Sequence, residues 1–442
     1  MRIPSAKDFN LVSHWWTSYP SLGHWREDYT GYEESFRGFL QTGKPLHLYI
    51  HIPFCKKLCS YCICSVLISN DRGKIQFFLD HLLKEIHNLK EFCTKAGHLL
   101  KIREIHFGGG TPSHLDQKQF SQLCAGLKTI VDFSACDEVA MEIDPRTVNR
   151  DDLAHYASCG VTRISFGIQD FDLKVQEAIN RVQPPEMIEE LLESRSVFKG
   201  VNFDLLYGLP HQTLETVAET VRRTKEMAPD RITLLKYCHA PEVRKHMKLI
   251  NVSDLPSPDE LPVMFCKTAD SLMDFGYEWI GLDHFALPHD TLAQAAFNKT
   301  LVRTFNGFKP GPTKDMIGLG PTATAAFGKT YAQNHYDLPK YYDSVNKGEF
   351  PILRGYHMSE DDVVRREVIF SLLTQQKALI PDIYFARELK QLQDMKDLCE
   401  VNGYSLVVND RVLLRNVCKV FDVKDVEPEH MKIAQKTIRR VA

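Results

Sequence analysis

The sequence predicts an α/β fold of parallel βαβ units, on three observations. Six short apolar or alternating runs are each followed by a segment of helical periodicity. The residues that close these runs are repeatedly glycine-rich or acidic, as in Gly108-Gly109-Gly110, Asp144-Pro145 and Gly208-Leu209-Pro210. In parallel α/β folds that carboxyl edge is where ligands bind. Finally, 442 residues, 43% hydrophobic, with 25 Phe, 16 Tyr and 4 Trp, hold ample core material and exclude a disordered chain. Right-handed crossovers leave an open sheet or a six-stranded partial barrel, and the pattern alone does not choose between them.

Residues 1–45 are aromatic and turn-rich without a long periodic pattern, which predicts an arm packed on a larger body. His47-Leu48-Tyr49-Ile50-His51-Ile52 alternates as a strand should, and residues 77–92 have helical spacing. The remaining predicted strands are 102–107, 138–143, 162–167, 202–207 and 231–237, with helices at 120–131, 151–158, 173–179, 187–197, 214–227 and 258–275. Gly160 stands where a helix C-terminus calls for glycine. A short extra strand is expected at 277–282. After residue 358 the style changes: two amphipathic helices (361–373 and 383–398), then a hairpin of 405–408 and 412–414 around Asn409-Asp410-Arg411. The chain therefore divides into an arm (1–45), a barrel with an extension (46–358) and a small winged-helix-like module (359–442).

Lys+Arg 54 against Asp+Glu 57 gives −3 and no basic stripe, so nucleic-acid binding is not indicated. No apolar run approaches a membrane span, and the first eight residues have no signal-peptide core, so the expected compartment is the cytoplasm. Disulfides are rare there, which makes twelve cysteines conspicuous. Eight are scattered and read as small buried apolar residues. Cys55, Cys59, Cys62 and Cys64 instead share one loop directly after the first strand. Thiolates this close converge on an iron–sulfur cluster or a soft metal. Zinc is the rival reading, although structural zinc sites usually pair two cysteine knuckles distant in sequence. Structural or redox thiols are the third. C-x3-C-x2-C supplies three ligands to a four-iron cube and leaves one iron open to a small molecule, while spacing alone leaves Cys64 as either a fourth ligand or a nearby thiol.

This loop, with the glycine turn His106-Phe107-Gly108-Gly109-Gly110-Thr111-Pro112 after the second strand, strongly resembles the radical S-adenosylmethionine (SAM) superfamily. The resemblance implies a partial (β/α)6 barrel. It also implies a [4Fe–4S] cluster held by Cys55, Cys59 and Cys62, whose open iron binds SAM and whose electron cleaves it to a 5′-deoxyadenosyl radical. Leu48 to Cys55 and the C-x3-C-x2-C-x-C spacing are similar to the oxygen-independent coproporphyrinogen III oxidase (HemN-type) branch. So are Thr17-Ser18-Tyr19-Pro20, Glu142-Ile143-Asp144-Pro145-Arg146, Gly167-Ile168-Gln169-Asp170-Phe171, Asn180-Arg181, Asp204 to Pro210, Asp283-His284-Phe285-Ala286, Tyr331-Ala332-Gln333-Asn334 and Arg415-Asn416-Val417-Cys418.

That branch implies oxidative decarboxylation of two propionates of coproporphyrinogen III to vinyl groups. Matching positions imply Tyr49, Gly109, Glu142 and Thr324 for one SAM, and Tyr61, Gly110, Thr111, Gln169, Arg181, Asp204 and Cys238 for a second. Tyr49 and Cys64 are the implied catalytic positions. The implied partners are the tetrapyrrole and an electron-donor protein such as flavodoxin or ferredoxin, with the chain a monomer. For Arg181, Asp204 and Glu142 the competing reading is a structural ion pair in the barrel mouth, and His51 reads as a structural histidine. Trp15-Trp16 replaces the family's Arg-Tyr, Cys238 a small alanine, Thr324 an aliphatic residue, Leu287 a common arginine and Ser65 an asparagine. These departures bear on the substrate more than on SAM, and keep open a C-methylating, cyclopropane-forming or heme-ring-opening relative, or a heme-binding chaperone.

Overall fold

A computed structural model describes residues 1–14, 18–380 and 384–423. Six parallel strands occur where the pattern placed them: β1 (Leu46–Ile52), β2 (Ile102–Gly109), β3 (Glu138–Ile143), β4 (Arg163–Gln169), β5 (Gly200–Tyr207) and β6 (Arg231–Lys236). The sheet continues past them through β7 (Glu278–Gly281), β8 (His284–Ala286), β11 (Met316–Leu319), β12 (Thr324–Phe327), β13 (Thr330–Asn334) and β14 (Ile352–His357). A separate hairpin of β9 (Leu301–Thr304) and β10 (Gly307–Pro310) lies between them in sequence. The large sheet has twelve strands in the order β14-β13-β12-β11-β1-β2-β3-β4-β5-β6-β8-β7. The six strand–helix units therefore form the expected partial barrel, and β11 adds to β1 in parallel.

Local chemistry sets the element ends. The Asp71 carboxylate accepts from Gly73 and Lys74 amides to start Arg72–Ala96, and Gly97 at φ +73 ends it. Capping boxes start Gln117–Leu127 and Arg150–Cys159. Alternation along the strands sorts their faces. On β4, Ile164, Phe166 and Ile168 join the core beneath the helices. Arg163, Ser165, Gly167 and Gln169 on the same strand line an internal cavity. The lumen is consequently polar, and the apolar core is the shell between strands and helices.

Several expectations change. The arm contains a ten-residue helix, Tyr32–Gln41, which buries Tyr32, Phe36, Phe39 and Leu40. Its i, i+4, i+7, i+8 spacing is a complete apolar stripe, too short to stand out beside Trp15-Trp16. The helix expected at 187–197 is Pro185–Leu192. In the C-terminal module Ser405–Val408 pairs with Cys399–Asn402 and Lys377–Leu379, so the turn falls at Gly403-Tyr404. Residues 412–414 are not a strand: the Asp410 carboxylate accepts from the Val412 and Leu413 amides, and the chain enters helix Leu414–Lys419. The helix expected at 383–398 is Ala386–Gln393, and its first expected residue lies outside the described residues, as do Trp15 and Trp16. The module's apolar core is continuous with Ile280, Leu282, Ala286 and Phe308.

Candidate active site

β1 runs directly into the cysteine loop, and the glycine end of β2 is locked against it. The Gly110 amide donates to the Ile52 carbonyl at 2.8 Å, and a Cβ on Gly110 would meet the Pro53 carbonyl oxygen at 2.7 Å. Gly109, at φ +114, leaves the space its Cβ would need to the His51 ring, 2.6 Å away. That ring meets the Ser65 carbonyl at 3.3 Å and the Tyr49 hydroxyl at 3.2 Å, so both of its nitrogens have partners. The Asn180 amide donates to the Leu58 carbonyl at 2.9 Å, which gives the Asn180-Arg181 pair a job at the loop.

All four loop cysteines are free thiols at the edge of one cavity of about 660 Å³ that extends down the barrel lumen. Hydrogen-bond donors converge on the sulfurs. Thr111 Oγ1 lies 3.2 Å from Cys55 Sγ, while Arg146 Nη2 and Arg181 Nη1 lie 3.5 and 3.6 Å from Cys59 Sγ. Burial pushes the Cys55 thiol up to about 12. A hydrogen bond with Cys64 pulls Cys62 down to about 7 and raises Cys64. Among the described residues, no three His, Cys, Asp or Glu side chains converge where one metal ion could sit. Thiols spaced around the mouth of a cavity, with cationic and hydroxyl donors at their backs, fit a multi-iron cube.

Below the loop, all the positions named for SAM line the cavity except Tyr49 and Thr324. Tyr49 sits beside them, its ring stacked 5.8 Å from that of His106. Thr324 is buried at the start of β12. Glu142 accepts from His106 Nε2 at 3.0 Å and from the Gly109 amide at 3.2 Å. Burial raises the Glu142 carboxyl, but the His106 hydrogen bond and charge outweigh it and hold the group below the usual range. Burial and the Glu142 charge push Asp204 up to about 6, although Ser165 and Asn202 donate to it, each at 2.9 Å. Gln169 takes φ +68 at a bulge after Gly167, a conformation held by Gln183 Nε2 donating to the Gly167 and Ile168 carbonyls. Arg181 donates to the Gly167 carbonyl at 2.7 Å and pairs with Asp144 at 3.3 Å, and Asp144 also holds Arg146 at 2.7 Å. The ion pair is real, yet Arg181 still borders the cavity.

Two groups escaped the sequence reading. Arg244 donates to the Ile63 carbonyl at 2.9 Å and to that of Cys64, and His246 meets the Cys62 carbonyl at 2.7 Å. Both lie in a stretch without periodicity, so nothing local flagged them. The β9–β10 hairpin brings Arg303, Phe305, Asn306, Phe308 and Lys309 to the cavity. Its signal was present in Asn306-Gly307, although the two turn residues are Phe305 and Asn306 and Gly307 opens β10.

Residues 49–224 match the model of the radical SAM superfamily. Over 434 residues, and 94% of each chain, the protein is 35% identical to the oxygen-independent coproporphyrinogen III oxidase of Pseudomonas aeruginosa. It is 36% identical over 436 residues to that of Escherichia coli, covering 94% of this chain and 93% of the relative. The solved structure of the Escherichia coli coproporphyrinogen III oxidase (HemN), a radical SAM enzyme, superposes with a TM-score of 0.86 at 35% identity, over 92% of this chain and 97% of that one. No described helix is long and apolar enough to cross a membrane. At this identity over nearly the whole chain, and with the [4Fe–4S] cluster and SAM as its cofactors, this chain belongs to the oxygen-independent coproporphyrinogen III oxidase family of radical SAM enzymes.

Proposed function

We propose that this chain catalyses the oxygen-independent oxidative decarboxylation of coproporphyrinogen III to protoporphyrinogen IX in the cytoplasm. A one-electron donor protein such as flavodoxin or ferredoxin reduces it. The observation that carries the reading is the joining of four free thiols, the glycine end of β2 and a polar lumen in one cavity. When bound, the cluster and SAM supply a carbon-centred radical able to take hydrogen from a propionate β-carbon, after which CO2 and one electron leave and a vinyl group remains.

The chain's own residues prepare that chemistry. Cys55, Cys59 and Cys62 hold the cluster, and the donors on Cys55 and Cys59 favour the thiolate form. Gly109 and Gly110 let backbone approach the methionine moiety. Glu142, kept anionic by His106, suits the SAM amino group. Arg181 offers its guanidinium to a carboxylate, and Gln169 and Asp204 suit ribose hydroxyls. Cys64, hydrogen-bonded to Cys62, acts beside the cluster rather than within it, with Tyr49 buttressing His106 behind the site.

The test is an anaerobic assay of reconstituted protein with SAM, reductant and coproporphyrinogen III. The expected result is divinyl product with CO2. Release of 5′-deoxyadenosine without that product would overturn the substrate, and tight heme binding with no deoxyadenosine would overturn the enzyme reading. Cys55→Ala, Cys59→Ala and Cys62→Ala should each abolish the cluster's visible absorbance.

A further inference from the structure

The substrate of the proposed reaction carries four propionates. The lumen around β3 and β5 is acidic, with Glu142 and Asp204 facing the cavity. A carboxylate entering there meets like charge. The remaining wall has the opposite character. It is built by β8 and by the β9–β10 hairpin, whose surrounding segment 299–312 carries Lys299, Arg303 and Lys309 and no acidic residue.

Register places this wall at the depth of the site. Gly167 pairs with Asp204, Asp204 with Thr233, and Thr233 with His284, so His284 lies in the same layer of the lumen as Asp204. Its ring stands edge-on to Phe308 at 5.3 Å, and its Nδ1 is buried without a hydrogen-bond partner. The Arg303 guanidinium lies over the same Phe308 ring at 4.7 Å. Burial pulls Arg303 down to about 10, with the Asp283 charge opposing. Asp283 itself is committed to Arg415 at 2.7 Å. Lys309 engages Glu104, and Arg231 engages Glu138 and Asp290. A buried cation beside an apolar ring, with an unfilled imidazole nitrogen next to it, is a setting in which an incoming carboxylate gains charge-assisted hydrogen bonds.

We propose that His284 and Arg303, with Asn306 beside them, form the subsite that binds the propionate carboxylates of the tetrapyrrole. The inference rests on the proposed substrate.

The test is an anaerobic fluorescence titration of the reconstituted holoenzyme with coproporphyrin III, the oxidised and unreactive form, and with its tetramethyl ester. Wild type should bind the free acid at least tenfold more tightly than the ester. Arg303→Met should weaken acid binding roughly 10- to 100-fold, the range expected for loss of a hydrogen bond to a charged group. Arg303→Lys should recover part of that loss, His284→Leu should weaken the acid in the same sense, and none of the three should alter ester binding. Equal binding of acid and ester by wild type, a comparison that needs no variant, would overturn the proposal. So would folded Arg303→Met and His284→Leu proteins that bind the acid as wild type does. Failure of the proposed reaction is read separately, as absence of divinyl product from wild type.

Discussion

Replacing Glu85 with alanine tests what holds the turn before β12 against the end of β1. Glu85 lies within helix Arg72–Ala96 and is 4% exposed. Its Oε2 accepts from the Gly320 amide at 2.8 Å and the Tyr341 hydroxyl at 2.6 Å, and its Oε1 accepts from Asn334 Nδ2 at 3.0 Å. Gly320, at φ +94, has no room for a side chain, because a Cβ would lie 2.5 Å from the His51 carbonyl oxygen. The carboxylate thus clamps this turn to helix Arg72–Ala96, with Gly320 held close against the strand that feeds the cysteine loop. Alanine strands the Gly320 amide and the Tyr341 hydroxyl, whereas Asn334 keeps the Gly320 carbonyl at 2.9 Å. At about 1–3 kcal/mol for each buried group left unpaired, the loss is about 2–6 kcal/mol. Glutamine keeps one oxygen for two donors but turns an N–H toward Asn334, at a cost of about 1–2 kcal/mol. Burial pushes the Glu85 carboxyl from 4.5 to about 7 against its three donors. A folded-state value above the unfolded one means stability that is full below pH 4.5 and is lost as pH rises through about 7. The size of that loss is about 3 kcal/mol. Urea midpoints of the cluster-free protein at pH 5.5 and pH 8 measure both effects. The deficit of Glu85→Gln relative to wild type should shrink at the higher pH. An unchanged midpoint for Glu85→Ala, or identical pH dependence in Glu85→Gln and wild type, would refute the reasoning.

Other perturbations have equally specific outcomes. Arg415→Leu leaves Asp283 buried without its ion-pair partner and should cost about 3–5 kcal/mol in denaturant stability, whereas removing both charges together should cost less. Gly110→Ala should force the β2 end away from the Pro53 carbonyl and raise the KM for SAM while circular dichroism stays native. Cys64→Ala should retain the visible absorbance of the cluster but lose product formation, and a colourless protein would make Cys64 a ligand.

The six strand–helix units were legible because the strands are separated by helices long enough to show their own period, and because β1 alternates without exception, whereas their closure into a partial barrel came only with the resemblance. The cysteine loop was legible because four thiols in ten residues have few physical uses. What escaped is short or depends on distant partners. Strands β9 to β13 are four or five residues each, below the length at which alternation is convincing. Glu85 reads as one polar residue of a helix until the fold brings Gly320, Asn334 and Tyr341 around it. Asp283-His284-Phe285-Ala286 and Arg415-Asn416-Val417-Cys418 read as separate motifs. Their connection, the Asp283–Arg415 pair between barrel and C-terminal module, spans 132 residues and has no local signature.

The polar lumen explains why the motifs fall where they do. A barrel that must admit a charged macrocycle and a sulfonium cofactor gives up the apolar layers that ordinarily fill such an interior. Its stability then comes from the outer faces of the strands, where Phe107, Phe166 and Phe203 are fully buried against helices. Each strand is obliged to carry two chemistries at alternate positions, one for the fold and one for the site. Glu138, Ala140 and Glu142 beside Val139, Met141 and Ile143 are that division on β3. A polar residue facing the lumen is therefore either held in a buried ion pair, as Arg231 is with Glu138 and Asp290, or placed to serve the site, and the proposed role of Arg303 belongs to the second case. Arg303 stands on an element outside the six strand–helix units, whereas Lys309 on the same hairpin also pairs with the buried Glu104 of β2.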